Sequence, residues 1–254
     1  MQFCSRNLEI AVGMDFCRGP NSMFQTFISQ PIYNFLIFLY NIVPTHDMGV
    51  AIILLTALVR AAFWPLTAKS IKAQKAMGDL QPKLEALKTQ YKDDKAALTQ
   101  ATMELYKNEK INPLSSCLPL LIQLPILIGL YSALSQGLNS EHFDLLYPFI
   151  KNPGTLKTVA FGFLDLAKPS FVLALVAGLA QYWQTKMLPM QKPAVKTEGS
   201  KDEGMTAMIN KQMLYMMPAM TVVIGASLPG GLTLYWLAMT LLTGWQQKLI
   251  FSRQ

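Results

Sequence analysis

Charge is absent from long stretches of this chain and crowded into the segments between them, and that spacing limits the folds open to it more than any other feature. Residues 116–138 and 212–228 carry no charged side chain, 231–250 carries only Lys248, 170–188 only Lys186, and 48–66 only Arg60. The windows run from 17 to 23 residues, close to the ~20 that a helix needs to cross ~30 Å of hydrocarbon. A soluble domain is about a quarter charged, whereas this chain is 15% charged and 52% hydrophobic. The fold expected is an all-α integral membrane protein with a five-span helical core, its spans near 48–66, 116–138, 170–188, 212–228 and 231–250.

The remaining segments have characters of their own. Residues 1–23 read as a poorly ordered N-terminal extension with no clear secretory signal. Residues 24–44 are apolar and aromatic but dotted with Gln25, Gln30, Asn34 and Asn41, a mixture that fits an interfacial amphipathic helix, with a true span as the alternative. The core then covers 45–254. Within it, residues 69–112 hold nine Lys and six acids. Apolar residues recur at Met77, Leu80, Leu84, Leu87 and Tyr91, and again at Leu98, Ala101 and Leu105. These steps of three and four predict two short amphipathic helices zipped along the stripe as an antiparallel hairpin, joined at Asp93-Asp94, with Pro82 kinking the first. Residues 139–169 form a mixed loop whose Phe143, Leu145, Leu146, Tyr147 and Phe149 suit a membrane interface. Residues 189–211 read as a flexible polar loop.

Basic residues set the expected orientation. The 69–112 segment, the 186–211 segment and the tail together hold sixteen Lys and Arg, against five on the other side (Arg6, Arg18, Lys151, Lys157 and Lys168). The positive-inside rule then makes the hairpin, the 189–211 loop and the C-terminus cytoplasmic and puts the N-terminus outside. The net charge of +7 is explained by orientation in a membrane, with no zinc-finger or single-strand-binding pattern beside it to suggest direct nucleic-acid binding. The three cysteines, Cys4, Cys17 and Cys117, fit neither a metal-ligand spacing nor a disulfide framework. No catalytic or nucleotide-binding motif is present, so the chain reads as a non-enzyme without cofactor or metal.

Arg60 is the exceptional residue. On spacing alone it lies about six residues from the cytoplasmic end of its span, roughly 9 Å deep. Two readings stay open there: the side chain snorkels to the surface, or it faces a water-filled cavity within the bundle. Thr56 lies one turn earlier on the same helical face. The other spans supply Gln123, Gln181, Gln184, Thr233 and Tyr235, each of which also serves as an ordinary interhelical hydrogen-bonding group. None of the five windows contains an acid, so Arg60 has no carboxylate within the spans to neutralise it. Nine of the fifteen Met fall between Met187 and Met239, as suits either a surface for partners of variable shape or plain apolar filling.

Four stretches, in order, carry a family likeness: GVAIILLTALVRAAFWPLT (49–67), LQPKLEALKTQYKDD (80–94), LYKNEKINPLSSCLPLLIQLPILIGLY (105–131) and LPGGLTLYWLAMTLLTGWQQ (228–247). They resemble the YidC/Oxa/Alb membrane-protein insertases, and a short bacterial YidC-like member in particular. The resemblance implies a multi-pass protein of the bacterial plasma membrane that inserts and helps fold integral membrane proteins. It implies a hydrophilic groove open to cytoplasm and lipid and closed on the outside. Arg60 and Thr56 match the family's groove arginine and the threonine one turn before it. Gln123 matches the glutamine of its LIQLP motif, and Tyr235-Trp236 its aromatic pair; Gln181 and Thr233 complete the candidate groove. Nascent membrane proteins and the bilayer are the expected partners, with the ribosome and the Sec translocon as candidates. Neither the family's large extracytoplasmic domain nor a long basic tail is expected, which leaves recruitment to the hairpin and the 189–211 loop. A small-solute transporter or channel is the alternative, and an inverted repeat would favour it; no second copy of the first-span pattern occurs.

Overall fold

The computed structural model describes residues 25–91, 94–112, 118–137, 145–187 and 214–252. The extension at 1–23, the loop at 189–211, the three cysteines, Asp93 and Phe143 lie outside them. One turn of π-helix, Gln25–Ser29, leads into α1, Gln30–Ile42. Then come α2 (Met48–Ala62), α3 (Trp64–Asp79), α4 (Gln81–Gln90), α5 (Lys95–Asn108) and α6 (Leu118–Gly137). Two short strands, β1 (Val159–Ala160) and β2 (Leu164–Asp165), precede α7 (Phe171–Met187). The chain closes with α8 (Leu214–Gly225) and α9 (Gly230–Ser252).

The window 48–66 is not one continuous helix, contrary to expectation. It breaks at Phe63, and α2 and α3 meet at a 72° bend. Pro65 accounts for the break: it has no N–H to give Ala61, and its ring clashes with that carbonyl. Phe63 takes the bridge-region conformation (φ −91°, ψ 9°) and Pro65 sits in the first turn of α3, where a missing N–H costs nothing. Pro82 likewise does not kink a helix; it lies in the first turn of a new one, α4, after a junction at Leu80. Among the described residues no single helix is long and apolar enough to cross a membrane alone, although α2 and α3 pass that test as a bent pair.

Side-chain contacts give the helix directions. Ile52 lies beside Gly231 and Arg60 beside Gln246, so α2 and α9 run parallel. Gln181 meets Thr240 and Trp183 packs on Gly244, so α7 runs with them. Leu134 also touches Gly231 while Gln123 reaches Tyr235, which makes α6 antiparallel to α9. Gly178 faces Pro218 and Val222 while Ala174 faces Gly225, which makes α8 antiparallel to α7. Taken in order, α2, α6, α7, α8 and α9 therefore alternate in direction. To one side, α4 and α5 fold back on each other: Lys83 near the start of α4 pairs with Glu109 just past the end of α5, and Asp94 caps α5 by accepting from the N–H groups of Ala96 and Ala97.

The core gathers at the end of the bundle where α2 and α9 begin. Leu36, Leu39, Met48, Ile52, Leu55, Leu130, Leu134, Leu166, Leu232 and Tyr235 are buried together there. The strand pair seals that end, a feature the mixed-loop reading of 139–169 did not anticipate. Its three-residue connection holds two successive left-handed residues, Phe161 (φ 55°) and Gly162 (φ 80°), the second a glycine that takes this conformation freely. Asp47 joins the hairpin to α2. Its Oδ1 accepts from the N–H groups of Gly49 and Val50, an N-cap, and its Oδ2 accepts from Phe161 N–H at 2.6 Å. The first N–H groups of α9 also find partners here, Gly230 donating to Lys168 O and Gly231 to Leu166 O.

The polar residues of α1 have a specific use. Gln30 and Asn34 donate to Leu145 O, Asn34 Oδ1 accepts from Tyr147 N–H, and Asn41 donates to Lys151 O. They tie the 145–151 segment to the helix, while Phe35, Phe38 and Ile42 remain exposed on the adjoining face.

Candidate functional site

Arg60 occupies the last turn of α2, two residues from its end, and not six residues inside a longer span. It is buried, 7% exposed. One of its Nη nitrogens donates to Gln246 Oε1 at 2.9 Å, its one hydrogen bond to the described residues. A charge-assisted bond of this kind contributes about 1.5–3 kcal/mol. No ion pair among the described residues includes Arg60.

Gln246, from α9, is completely buried and organises the bend. Arginine only donates, so the amide must turn its oxygen to Arg60 and its nitrogen the other way. Nε2 lies 3.0 Å from Thr67 Oγ1 and 3.3 Å from Trp64 O. Thr67 can accept that bond while its own proton goes to Phe63 O at 3.0 Å. One side chain thereby links the end of α2, the elbow and the first turn of α3. Next to it, Trp64 and Trp245 meet edge to face, their ring centroids 5.9 Å apart.

The sequence-derived residues divide into two groups. Tyr235 is buried, its hydroxyl accepts from Gln123 Nε2 at 2.6 Å, and it lies within electrostatic reach of Arg60. Thr56 is buried on the same helix, one turn from Arg60, and its hydroxyl donates back to Ile52 O at 2.6 Å. Arg60, Thr56, Tyr235 and Gln123 thus lie together between α2, α6 and α9. Thr233 belongs elsewhere: its hydroxyl donates to Gly225 O at 3.0 Å and steadies the turn between α8 and α9. Gln181 accepts from Thr240 at 3.4 Å, a tie between α7 and α9. Trp236 is half-buried and takes no part in the Arg60 cluster.

Gln246 and Thr67 are the members that sequence reading missed. A signal for Gln246 exists: it follows Tyr235 by eleven residues, three helical turns, and so shares its face. Its neighbour Gln247 is also buried, with its Oε1 unpartnered among the described residues. The arrangement as a whole is one cation, held by a neutral amide oxygen with buried hydroxyls of Thr56 and Tyr235 nearby, in a largely apolar bundle. Such a site can attract and orient an anionic or carbonyl-rich segment, and it contains no nucleophile paired with a base.

The family model for the 60Kd inner membrane protein matches residues 38–254. The chain is 34% identical over 223 residues to the membrane protein insertase YidC of Citrifermentans bemidjiense, covering 88% of this chain and 36% of that protein. The corresponding protein of Aeromonas salmonicida is 36% identical over 229 residues, again 36% of its length. This chain therefore spans about a third of these larger relatives. Against the membrane protein insertase YidC of Fusobacterium nucleatum the match is 34% over 230 residues and takes in 98% of the relative. A family model met by most of the chain, and a relative aligned almost from end to end, establish that the chain belongs to the YidC/Oxa family of bacterial inner-membrane proteins.

Proposed function

We propose that the chain inserts membrane proteins into the bilayer and helps them fold, without acting as an enzyme. The observation that carries this reading is the buried guanidinium of Arg60, held by Gln246 and paired with no acid among the described residues. The printed name of the relatives, membrane protein insertase, supports it. A cation at the centre of a bilayer costs roughly 2.5–3.5 kcal/mol on insertion scales. A fold that retains one must use it, and here the use is attraction for the polar, often acidic, leading segment of a passing chain.

Five helices alternate in direction, which supports five crossings with α2 entering from the outside and the C-terminus in the cytoplasm. Their outer surface supports a lipid environment: Leu121, Phe171, Val172, Leu179 and Val223 are each more than 60% exposed, an apolar display far beyond that of a soluble monomer. In this orientation the strand pair closes the outer end and the Arg60 cluster lies toward the cytoplasm. The α4–α5 pair hangs on α3 in the cytoplasm and meets the emerging nascent chain, with the ribosome and the Sec translocon as further partners. The substrate's polar segment then rests at Arg60, Thr56, Gln123 and Tyr235 while its apolar segment moves sideways into lipid. Thr233 and Gln181 hold α8 and α7 against α9 and so support that path from outside it.

The test is insertion into liposomes holding only this chain, scored by protease-protected tails. Arg60→Ala should lower insertion of acidic-tailed substrates about tenfold, the equivalent of ~1.4 kcal/mol of lost attraction. Undiminished insertion of every acidic-tailed substrate would remove Arg60 from the mechanism.

A further inference from the structure

We infer that Gln246 is the positioning residue of the Arg60 cation: it fixes the guanidinium in place without neutralising it. The inference rests on the insertion reading for its consequence but on geometry for its substance. A buried arginine needs an acceptor. A carboxylate would satisfy it, but would cancel the charge that has to act on a substrate. An amide oxygen satisfies it and leaves the charge whole.

Gln246 is suited to that part in three respects. It is completely buried, so water does not compete for its oxygen. Its nitrogen donates to Trp64 O and lies 3.0 Å from Thr67 Oγ1; a flipped amide would turn its oxygen to the Trp64 carbonyl and its NH2 to the guanidinium, losing an acceptor for each. It stands on α9 opposite the end of α2, where the break at Phe63 would otherwise leave Arg60 on a frayed last turn. The elbow, the amide and the cation therefore form one unit. Tyr235, three turns earlier on the same face of α9, lies in the field of the cation so placed.

Two substitutions separate positioning from structural support. Gln246→Glu keeps shape and length but supplies the carboxylate. Gln246→Met keeps length and removes the acceptor. The first readout is the ratio of labelling rates of a Gln123→Cys reporter by anionic and cationic methanethiosulfonates, in proteoliposomes of a chain whose Cys4, Cys17 and Cys117 are replaced by Ser. The second is insertion of matched substrates with acidic and neutral tails.

Gln246→Glu should lower the anion-to-cation ratio about fivefold, as expected when a unit charge in a partly dry site is cancelled. It should lower acidic-tail insertion about tenfold and leave neutral-tail insertion within about twofold of the parent. Gln246→Met should retain the labelling ratio and still lose acidic-tail insertion selectively. A wild-type labelling ratio in Gln246→Glu overturns the inference. So does an equal loss of both substrate classes in Gln246→Met, which also serves as the test should the Glu variant fail to fold. If the parent inserts nothing while the labelling ratio still responds to Gln246→Glu, the positioning role stands and the insertion reading falls.

Discussion

A lone arginine among apolar residues is legible in any reading of this sequence, because its cost in a membrane is large whatever surrounds it. Its partner is not. Gln246 stands beside Gln247 and Lys248, in what reads as the polar fringe of a closing helix, and 186 residues separate it from Arg60. Only the packing of α9 against α2 brings them together. Asp47 is a similar case. An acid just before an apolar run announces an N-cap, but nothing in the sequence announces that its second oxygen holds Phe161, 114 residues away. The two oxygens can be tested apart. Asp47→Ala removes every bond and should destabilise the fold by about 2–3 kcal/mol. Asp47→Asn keeps one acceptor, preserves the cap on α2 and should cost about 1 kcal/mol. Thermal unfolding in detergent micelles measures both: an Asp47→Asn variant as stable as the parent would mean that the hairpin contact contributes nothing, and equal losses that the cap contributes nothing.

Among the elements, prolines decided what the periodic pattern could not. Apart from Arg60, 48–66 holds no charged residue, so a reading based on apolar content merges α2 with the start of α3. Pro65 carries the contrary signal, and the elbow obeys it. Of the expected stripe, Leu80 and Leu84 are buried but Met77, Leu87, Tyr91, Leu98, Ala101 and Leu105 are only half-buried, and Pro82 begins a helix where a kink was expected. Helix-to-helix distances were less accessible to sequence. At Gly178, an added Cβ would lie 2.3 Å from Val222 Cγ2 and 3.1 Å from Pro218 O. Small residues at such crossings let backbones approach where no hydrophobic force drives the helices together. Gly178→Ala should therefore lower stability by about 1–3 kcal/mol through forced separation of α7 and α8. Adding Val222→Ala should recover part of the loss, because the closest clash is with that side chain. A double variant no more stable than the single one would place the strain on the Pro218 carbonyl instead.

For the molecule as a whole, the all-helical class followed from charge spacing, because hydrocarbon tolerates no unpaired backbone and leaves a chain with these windows few alternatives. The strand pair escaped detection because two-residue strands have no period to display. Its position matters for orientation. The hairpin and the α4–α5 pair lie toward opposite ends of a bundle in which α2, α7 and α9 run the same way, so fixing one fixes the other. The nine Lys of 69–112 lead us to propose that the α4–α5 pair is cytoplasmic and the strand pair outside. Single cysteines at Phe163, on the hairpin and 81% exposed, and at Thr99, exposed on α5, test this directly in a chain freed of its own cysteines. In intact cells a membrane-impermeant maleimide should label Phe163→Cys and spare Thr99→Cys until the membrane is opened. The reverse pattern would invert the protein and put the Arg60 cluster toward the outside, where no emerging chain could reach it. Labelling of both in intact cells would mean that α6, the one long helix between them, does not cross the membrane.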